Sequence, residues 1–557
     1  LDRRDGRVFE AVVDVTNERL MSWEEIEDVQ PQILSSEFQT AARLVRSDPT
    51  WRQAIRKRGI RDLGDVRLGG MTPGYFGRPE EEGARLVAIV AYQRDTITRY
   101  ARPIEGVVVY VDLNEQEVVD VVDTGVVPIP PPATDSSSEA ERFSEEELLA
   151  SEENDAEELS FRVENGEVRW QKWRFRFGMH PRTGLELYTV GWEEGDNIRS
   201  ILYRGSLSEM LVPYAEPSPA WFFRSPLDVG EYEIGREAVR LQPGIECPEH
   251  ARFFDAVYAD EFGTPQDYPN AVCLFEHGGE LTRGIDGLRQ TRELVLRYVA
   301  SVGNYDYGFD WIFHEDGTLG MEVAAMGIVL PKGVESDHMS DESAASDTRF
   351  GELVAENVVA PHHQHFFSWR LDLDVDGLEN NAVEVNVERL PPDEESNPWL
   401  NAFGPEQTTF RTEQEAQRHA NRASSREWKV VNPSVENELG HPVGYTLEPG
   451  EVAAPYAHPE SWIRRRAAFA DYHLWVTPYR ADELYAAGEY PTQSQGDTGL
   501  SQWTEADRSI YNTDIVLWYT MGMTHITRTE DWPVMPTDHL SFKLLPTHFF
   551  DRKPTLD

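Results

Sequence analysis

At 557 residues, with 99 acids against 52 bases and a formal net charge of −47, the chain is long enough for several domains and one large core. That charge excludes nucleic acid as a partner, because phosphate binding requires a basic surface. No run of about 18 apolar residues occurs, so no membrane span is expected.

Only six of the bases are lysine and 46 are arginine. Acids spread along the whole length with arginine displacing lysine indicate a very saline cytoplasm or medium, where a Debye length of about 3 Å at 1 M screens self-repulsion. A merely acidic mesophilic protein is the alternative, and a high-salt cytoplasm stands ahead of secretion as the compartment. The chain opens on Leu1-Asp2-Arg3-Arg4 with no basic-then-apolar leader, and this start reads as mid-domain, so an upstream segment is expected. Two cysteines, Cys247 and Cys273, are too few for a disulfide framework or a four-cysteine zinc site, and buried free thiols are the simplest reading of them.

Residues 8–23 read as a strand, a turn and a second strand, the end of a small α+β domain assigned to residues 1–35. From Ser36 to Gly59 apolar residues recur at helical spacing on either side of Asp48-Pro49, predicting a helix, a break and a second helix. Strands follow at Leu86–Tyr92, Val107–Asp112 and Val118–Val122, so residues 36–127 form a second small α+β domain. Residues 128–160 read as a linker: a proline run leads into residues 135–159, whose eleven acids and single arginine cannot bury a core. From 161 to 557 short aromatic and β-branched runs alternate with turns, beginning with the hairpin signal around Asn165-Gly166, and this predicts a large antiparallel β-sandwich. The fold class is therefore mainly β, with small α+β domains ahead of the sandwich.

Three stretches carry chemistry. Ser301-Val302-Gly303-Asn304-Tyr305-Asp306-Tyr307 reads by itself as an ordinary strand. In His362-His363-Gln364-His365 a strand places His363 and His365 on one face and His362 on the other, so the first two can share a metal. Imidazole suits copper, zinc, iron or nickel alike. Cupins also use His-x-His but need a Glu after three or four intervening residues, where Trp369 and Arg370 stand; multicopper oxidases need several histidine clusters. The third stretch runs from Asp514 to His525 and on through Arg528, Glu530-Asp531-Trp532-Pro533 and Met535-Pro536.

Together with Arg204 to Tyr214, Asp228 to Tyr232, the Cys247 and Cys273 surroundings and Phe550-Asp551-Arg552, these motifs resemble the copper amine oxidases, in order and over essentially the whole chain. The resemblance implies the family's sandwich architecture and an oxidase that converts a primary amine, dioxygen and water to an aldehyde, ammonia and hydrogen peroxide, ping-pong through a Schiff base. It implies Cu(II) on His363, His365 and His525, and topaquinone formed from Tyr305. It gives Asp228 the role of proton-abstracting base, for which a raised pKa is expected. Tyr214 becomes the tyrosine that bonds a quinone oxygen, and Asn304 the neighbour that restrains the ring. A second metal, Ca²⁺ or Mn²⁺, would sit on Asp372, Leu373, Asp374, Asp514 and Ile515 through carboxylates and backbone carbonyls. The family further implies one disulfide between Cys247 and Cys273 and a homodimer with β-hairpin arms crossing the two-fold axis.

Ser301 stands where the family has Thr, and keeps the hydroxyl. Pro226 and Leu227 occupy a region that often carries an aromatic gate, so substrate preference transfers less well than the chemistry. Two rivals are a catalytically inactive copper-binding sandwich with an adhesive or structural role, and an oxidase or dioxygenase using a bare mononuclear metal.

Overall fold

Strands Val8–Asp14 and Arg19–Ile26 pair antiparallel as a two-stranded ribbon, and helices Ser35–Ser47 and Pro49–Lys57 follow it. This computed structural model describes residues 1–2, 6–95, 98–132, 160–285, 287–393 and 395–556. The acidic stretch 135–159, read as a linker, lies outside the described residues.

Asp48 makes the break between the helices: its carboxylate accepts the Trp51 N–H at 2.7 Å, and Pro49 takes the first helical position, where no donor is needed. Ala41, Val45, Trp51, Ala54 and Ile55 are buried on one side of this pair. They pack on a four-stranded antiparallel sheet in the order Val66–Met71, Leu86–Gln93, Pro103–Asp112, Glu117–Asp123. Its first strand was not anticipated, because Gly69 and Gly70 interrupt the alternation. Gly70 is required there by space: a Cβ would lie 2.3 Å from Phe38 Cδ1 on the first helix. Residues 128–132 stay on this unit, where Ile129 packs on the core and the Pro130 carbonyl accepts from Arg102 Nε at 2.8 Å.

Most strands of the remaining described residues fall into two large antiparallel sheets. Among the described residues one has eight strands, with His363–Asp372 between Ile515–His525 and Asn197–Leu211. The other has eleven, with Tyr305–His314 between Gly287–Val302 and Leu319–Gly327. Inward-facing residues of the two interlock: Trp311 meets Trp369 edge-to-face at 5.5 Å, and Phe309 and Tyr307 meet Phe367 at 6.3 and 5.7 Å. Such pairs add about 0.5–1.5 kcal/mol each beyond the area they bury. This is the expected sandwich, and it sets the tyrosine-bearing strand of one sheet against the histidine-bearing strands of the other.

Cys247 and Cys273 are joined in a disulfide, buried beside Phe275 and Val295. Two hairpins, Pro265–Gly284 with Gly287–Val302 and Asn380–Arg389 with Phe403–Thr409, present exposed apolar residues at their outer ends: Leu281 and Leu288 on the first, Trp399 and Phe403 on the second. The small helical unit touches the sandwich at the turn before Tyr305, where the Tyr100 hydroxyl donates to the Gly303 carbonyl at 2.7 Å.

Candidate active site

Gly303 and Asn304 form a two-residue turn between Val302 and Tyr305, with Gly303 at φ +63°, a conformation that favours glycine. Tyr305 is thereby the first residue of its strand and, at 2 % exposure, points into the sandwich. The Asn304 amide donates to the Ile328 carbonyl at 2.6 Å, which fixes the turn.

Across the interface, His363 pairs directly with His525 in the register of their strands, and His365 lies two positions on, on the same face. Ring centroids are 5.0 Å apart for His363 and His365 and 4.8 Å for His363 and His525. His362 is on the opposite face, where it accepts the Thr527 N–H at 3.2 Å.

Hydrogen bonds decide which nitrogen of each imidazole is available. His363 Nδ1–H donates to the Pro361 carbonyl at 3.0 Å, freeing Nε2. His525 Nε2–H donates to the Asp531 carboxylate at 2.8 Å, freeing Nδ1. His365 Nδ1 is engaged by the Tyr307 hydroxyl at 3.0 Å, and its Nε2 is buried with no partner among the described residues. The Tyr305 hydroxyl donates to His363 Nε2; its oxygen lies 3.4 Å from His525 Nδ1 and 3.2 Å from Met535 Sδ. Burial, reinforced by His525, pushes His363 down to about 3, and burial with the other two histidines takes His365 well below its ordinary value. The site thus offers neutral imidazoles, the protonation state a metal requires, and an orphaned buried nitrogen that a metal ion would satisfy.

Tyr214 stacks on His363 at 4.9 Å and interacts with the Asn304 side chain; burial raises its phenol above the ordinary range. Asp228 is 4 % exposed. Burial, then the neighbouring carboxylates of Glu209, Glu231 and Glu237, raise it well above a normal aspartate. Its charge bears on Tyr214 and on Tyr307, whose ring stacks on Tyr305 at 5.5 Å.

The second expected group also gathers. Ligand oxygens of Asp372, Asp374 and Asp514 lie within 4.8 Å of one another, and Asp374 and Asp514 each bury an oxygen with no partner among the described residues. Leu373 and Ile515 put their side chains in the core, leaving only backbone to offer. Asp376, next in the run, instead pairs with Arg199.

Sequence reading assigned no role to Tyr307, Asp531, Met535 or Glu209. Tyr307 was legible as the residue two after Tyr305 on the same face. Asp531 is six residues beyond His525 with no period that links them.

A sandwich that sets a buried phenol against three clustered imidazoles has the makings of a redox metal centre. The enzyme-domain model of the copper amine oxidases matches residues 162–557 and the N3-domain model of the same family matches 36–140; the chain belongs to the copper amine oxidase family. A primary amine oxidase of Klebsiella aerogenes is 36 % identical over 99 % of this chain and 75 % of its own length. A histamine oxidase of Arthrobacter globiformis is 37 % identical over 95 % and 77 %. The crystal structure of a copper-containing benzylamine oxidase from Hansenula polymorpha superposes with a TM-score of 0.85 at 27 % identity, covering 99 % of this chain and 88 % of that one. The protein is an amine oxidase that deaminates primary amines oxidatively, giving aldehyde, ammonia and hydrogen peroxide.

Proposed function

We propose that copper is held by His363 Nε2, His365 Nε2 and His525 Nδ1, and that Tyr305 is the residue converted to topaquinone. The observation that carries this is the Tyr305 oxygen at the free nitrogens of His363 and His525, beside a His365 Nε2 that nothing among the described residues satisfies. Copper and the quinone, when present, supply the electron-accepting chemistry that no natural side chain can perform.

The chain's own residues do the rest. Asp228, desolvated and surrounded by carboxylates, takes the proton from the carbon next to the substrate nitrogen, and its raised proton affinity suits it to that task. Tyr214 and Asn304 hold the Tyr305 ring in place, one beside His363 and the other through the Ile328 carbonyl. Net consumption of one amine, one dioxygen and one water balances one aldehyde, one ammonia and one peroxide.

A second metal, Ca²⁺ or Mn²⁺, is assigned to Asp372, Asp374 and Asp514, with the Leu373 and Ile515 carbonyls; three crowded carboxylates with two orphaned oxygens support it. A homodimer is assigned through the two exposed hairpins, whose apolar ends suit burial against a second copy. The charge of −47 supports function in high salt, with a saline cytoplasm the compartment favoured.

Phenylhydrazine titration of copper-loaded, aerated protein tests the assignment. One coloured adduct per chain is expected, and none from Tyr305→Phe, which still binds copper. A colourless wild type, or an adduct that survives in Tyr305→Phe, refutes it.

A further inference from the structure

The turn from Leu227 to Glu231, which carries Asp228, is gripped by two buried carboxylates. Glu231 accepts the Leu227 N–H at 2.9 Å and the Thr72 hydroxyl at 3.1 Å, and is neutralised by Arg466. Glu209 acts from the opposite side. It is 0 % exposed, and its Oε1 accepts the backbone N–H groups of Val229 and Gly230, both at 3.1 Å, and of Met210 at 3.0 Å. The Asp228 N–H in turn donates to the Met210 carbonyl at 3.2 Å, so one short piece of strand anchors the turn through both a side chain and a main-chain oxygen.

Glu209 differs from Glu231 in having no ion pair among the described residues, and its Oε2 is buried without a partner. Gly230 makes room for that oxygen: a Cβ there would lie 2.8 Å from Glu209 Oε2, 3.0 Å from Arg182 Nη2 and 2.2 Å from Pro491 Cγ. A buried carboxylate is ordinarily paired or left out. One retained beside a proton-abstracting aspartate, with one oxygen bound to the backbone that carries that aspartate, does two things at once. It fixes the turn, and it places negative charge behind the base without occupying the base's own lone pairs.

We propose that Glu209 is a positioning residue for proton abstraction, holding the Asp228 turn by its backbone and strengthening Asp228 as a base by its charge. This rests on the reading of Asp228 as the base. The groups facing Asp228 are Glu209, Glu231 and Glu237 with the phenols of Tyr214, Tyr232 and Tyr307; those acting on Glu209 include Arg182 and Glu231. Burial, only partly opposed by Arg182, pushes Glu209 up to about 7, so it carries its charge on the alkaline side of that value and loses it as the pH falls below.

The test is the pH dependence of kcat per phenylhydrazine-reactive site, in copper-loaded full-length protein, for wild type, Glu209→Gln and Glu209→Ala. Glutamine keeps an acceptor for the three N–H groups and removes the charge. Its acid limb should move about one unit lower, with kcat per site about tenfold down and KM unchanged. Alanine also orphans three buried donors and should lose about a further tenfold or more. If Glu209→Ala does not fold, Glu209→Gln decides alone: an acid limb and kcat per site matching wild type overturn the proposal. Asp228→Asn run in parallel separates the two readings. Near-normal turnover there refutes the base assignment and the Glu209 role with it; an inactive Asp228→Asn beside an unaltered Glu209→Gln refutes the Glu209 role only.

Discussion

Asp531→Asn asks which nitrogen of His525 would face the proposed copper without altering any proposed ligand. Asp531 is 1 % exposed, and besides the His525 Nε2–H its carboxylate accepts the Arg528 N–H at 2.9 Å and Arg528 Nε at 3.3 Å. Burial alone would raise this carboxyl, yet the bonds from His525 and Arg528 hold it below the usual carboxylate range, so it is ionised and the imidazole bond is charge-assisted. Such a bond contributes about 1.5–3 kcal/mol. Asparagine retains an acceptor and the shape but not the charge, so most of that difference is lost from the ligand's orientation and basicity. The expected result is copper affinity weaker by about 10- to 100-fold, measured by competition with a chelator, and slower growth of the phenylhydrazine-reactive species. His525→Ala should be weaker still. Unchanged affinity refutes the reasoning. So does a rise, which is the outcome if Nε2 is the ligand atom and Asp531 competes for it.

Other consequences are equally direct. Burial, with Asp514 beside each, pushes Asp374 up to about 7 and Asp372 up to about 6, where Arg370 holds the latter back. Groups that bind protons more tightly folded than unfolded cost stability as pH climbs from about 4 towards the folded values. Metal-stripped protein should therefore lose Tm between pH 5 and 7.5, about pH 4 being the unfolded reference, and Ca²⁺ should restore more at the higher pH; an equal gain at both refutes the second metal site. Gly230→Ala should fold poorly or displace the Asp228 turn, because its Cβ would lie 2.2 Å from Pro491 Cγ, and a variant with normal Tm and kcat refutes that close packing. Raising salt from 0.1 to 1 M shortens the Debye length from about 10 to about 3 Å. Thermal melts should show Tm rising with KCl, and a flat or falling trend refutes adaptation to salt.

The helical pair was legible because its period is local and Asp48-Pro49 marks the break in residue types that suit a helix start. Strand Val66–Met71 was not, since what makes it a strand is Phe38 packed over Gly70, a partner on another element. The same contrast runs through the active site. His363 and His365 could be placed together from their two-residue spacing alone. Glu209 could not be placed behind Asp228, because its partners are backbone N–H groups, which every residue but proline has and no sequence distinguishes.

Composition and alternation determined the class of fold, and the motifs, through their resemblance to the copper amine oxidases, determined the chemistry and named the side chains proposed to perform it. Tertiary structure decided the rest: Tyr305 meets His363 58 positions away and His525 220 positions away, across the two sheets of the sandwich. The physical reason is that side-chain periodicity is a property of one strand, whereas register between sheets is set by the packing of Trp311, Trp369 and their neighbours in the core. The choice of ring nitrogen follows from that same packing, because the Pro361 carbonyl, Tyr307 and Asp531 each reach their histidine only once the sandwich is closed.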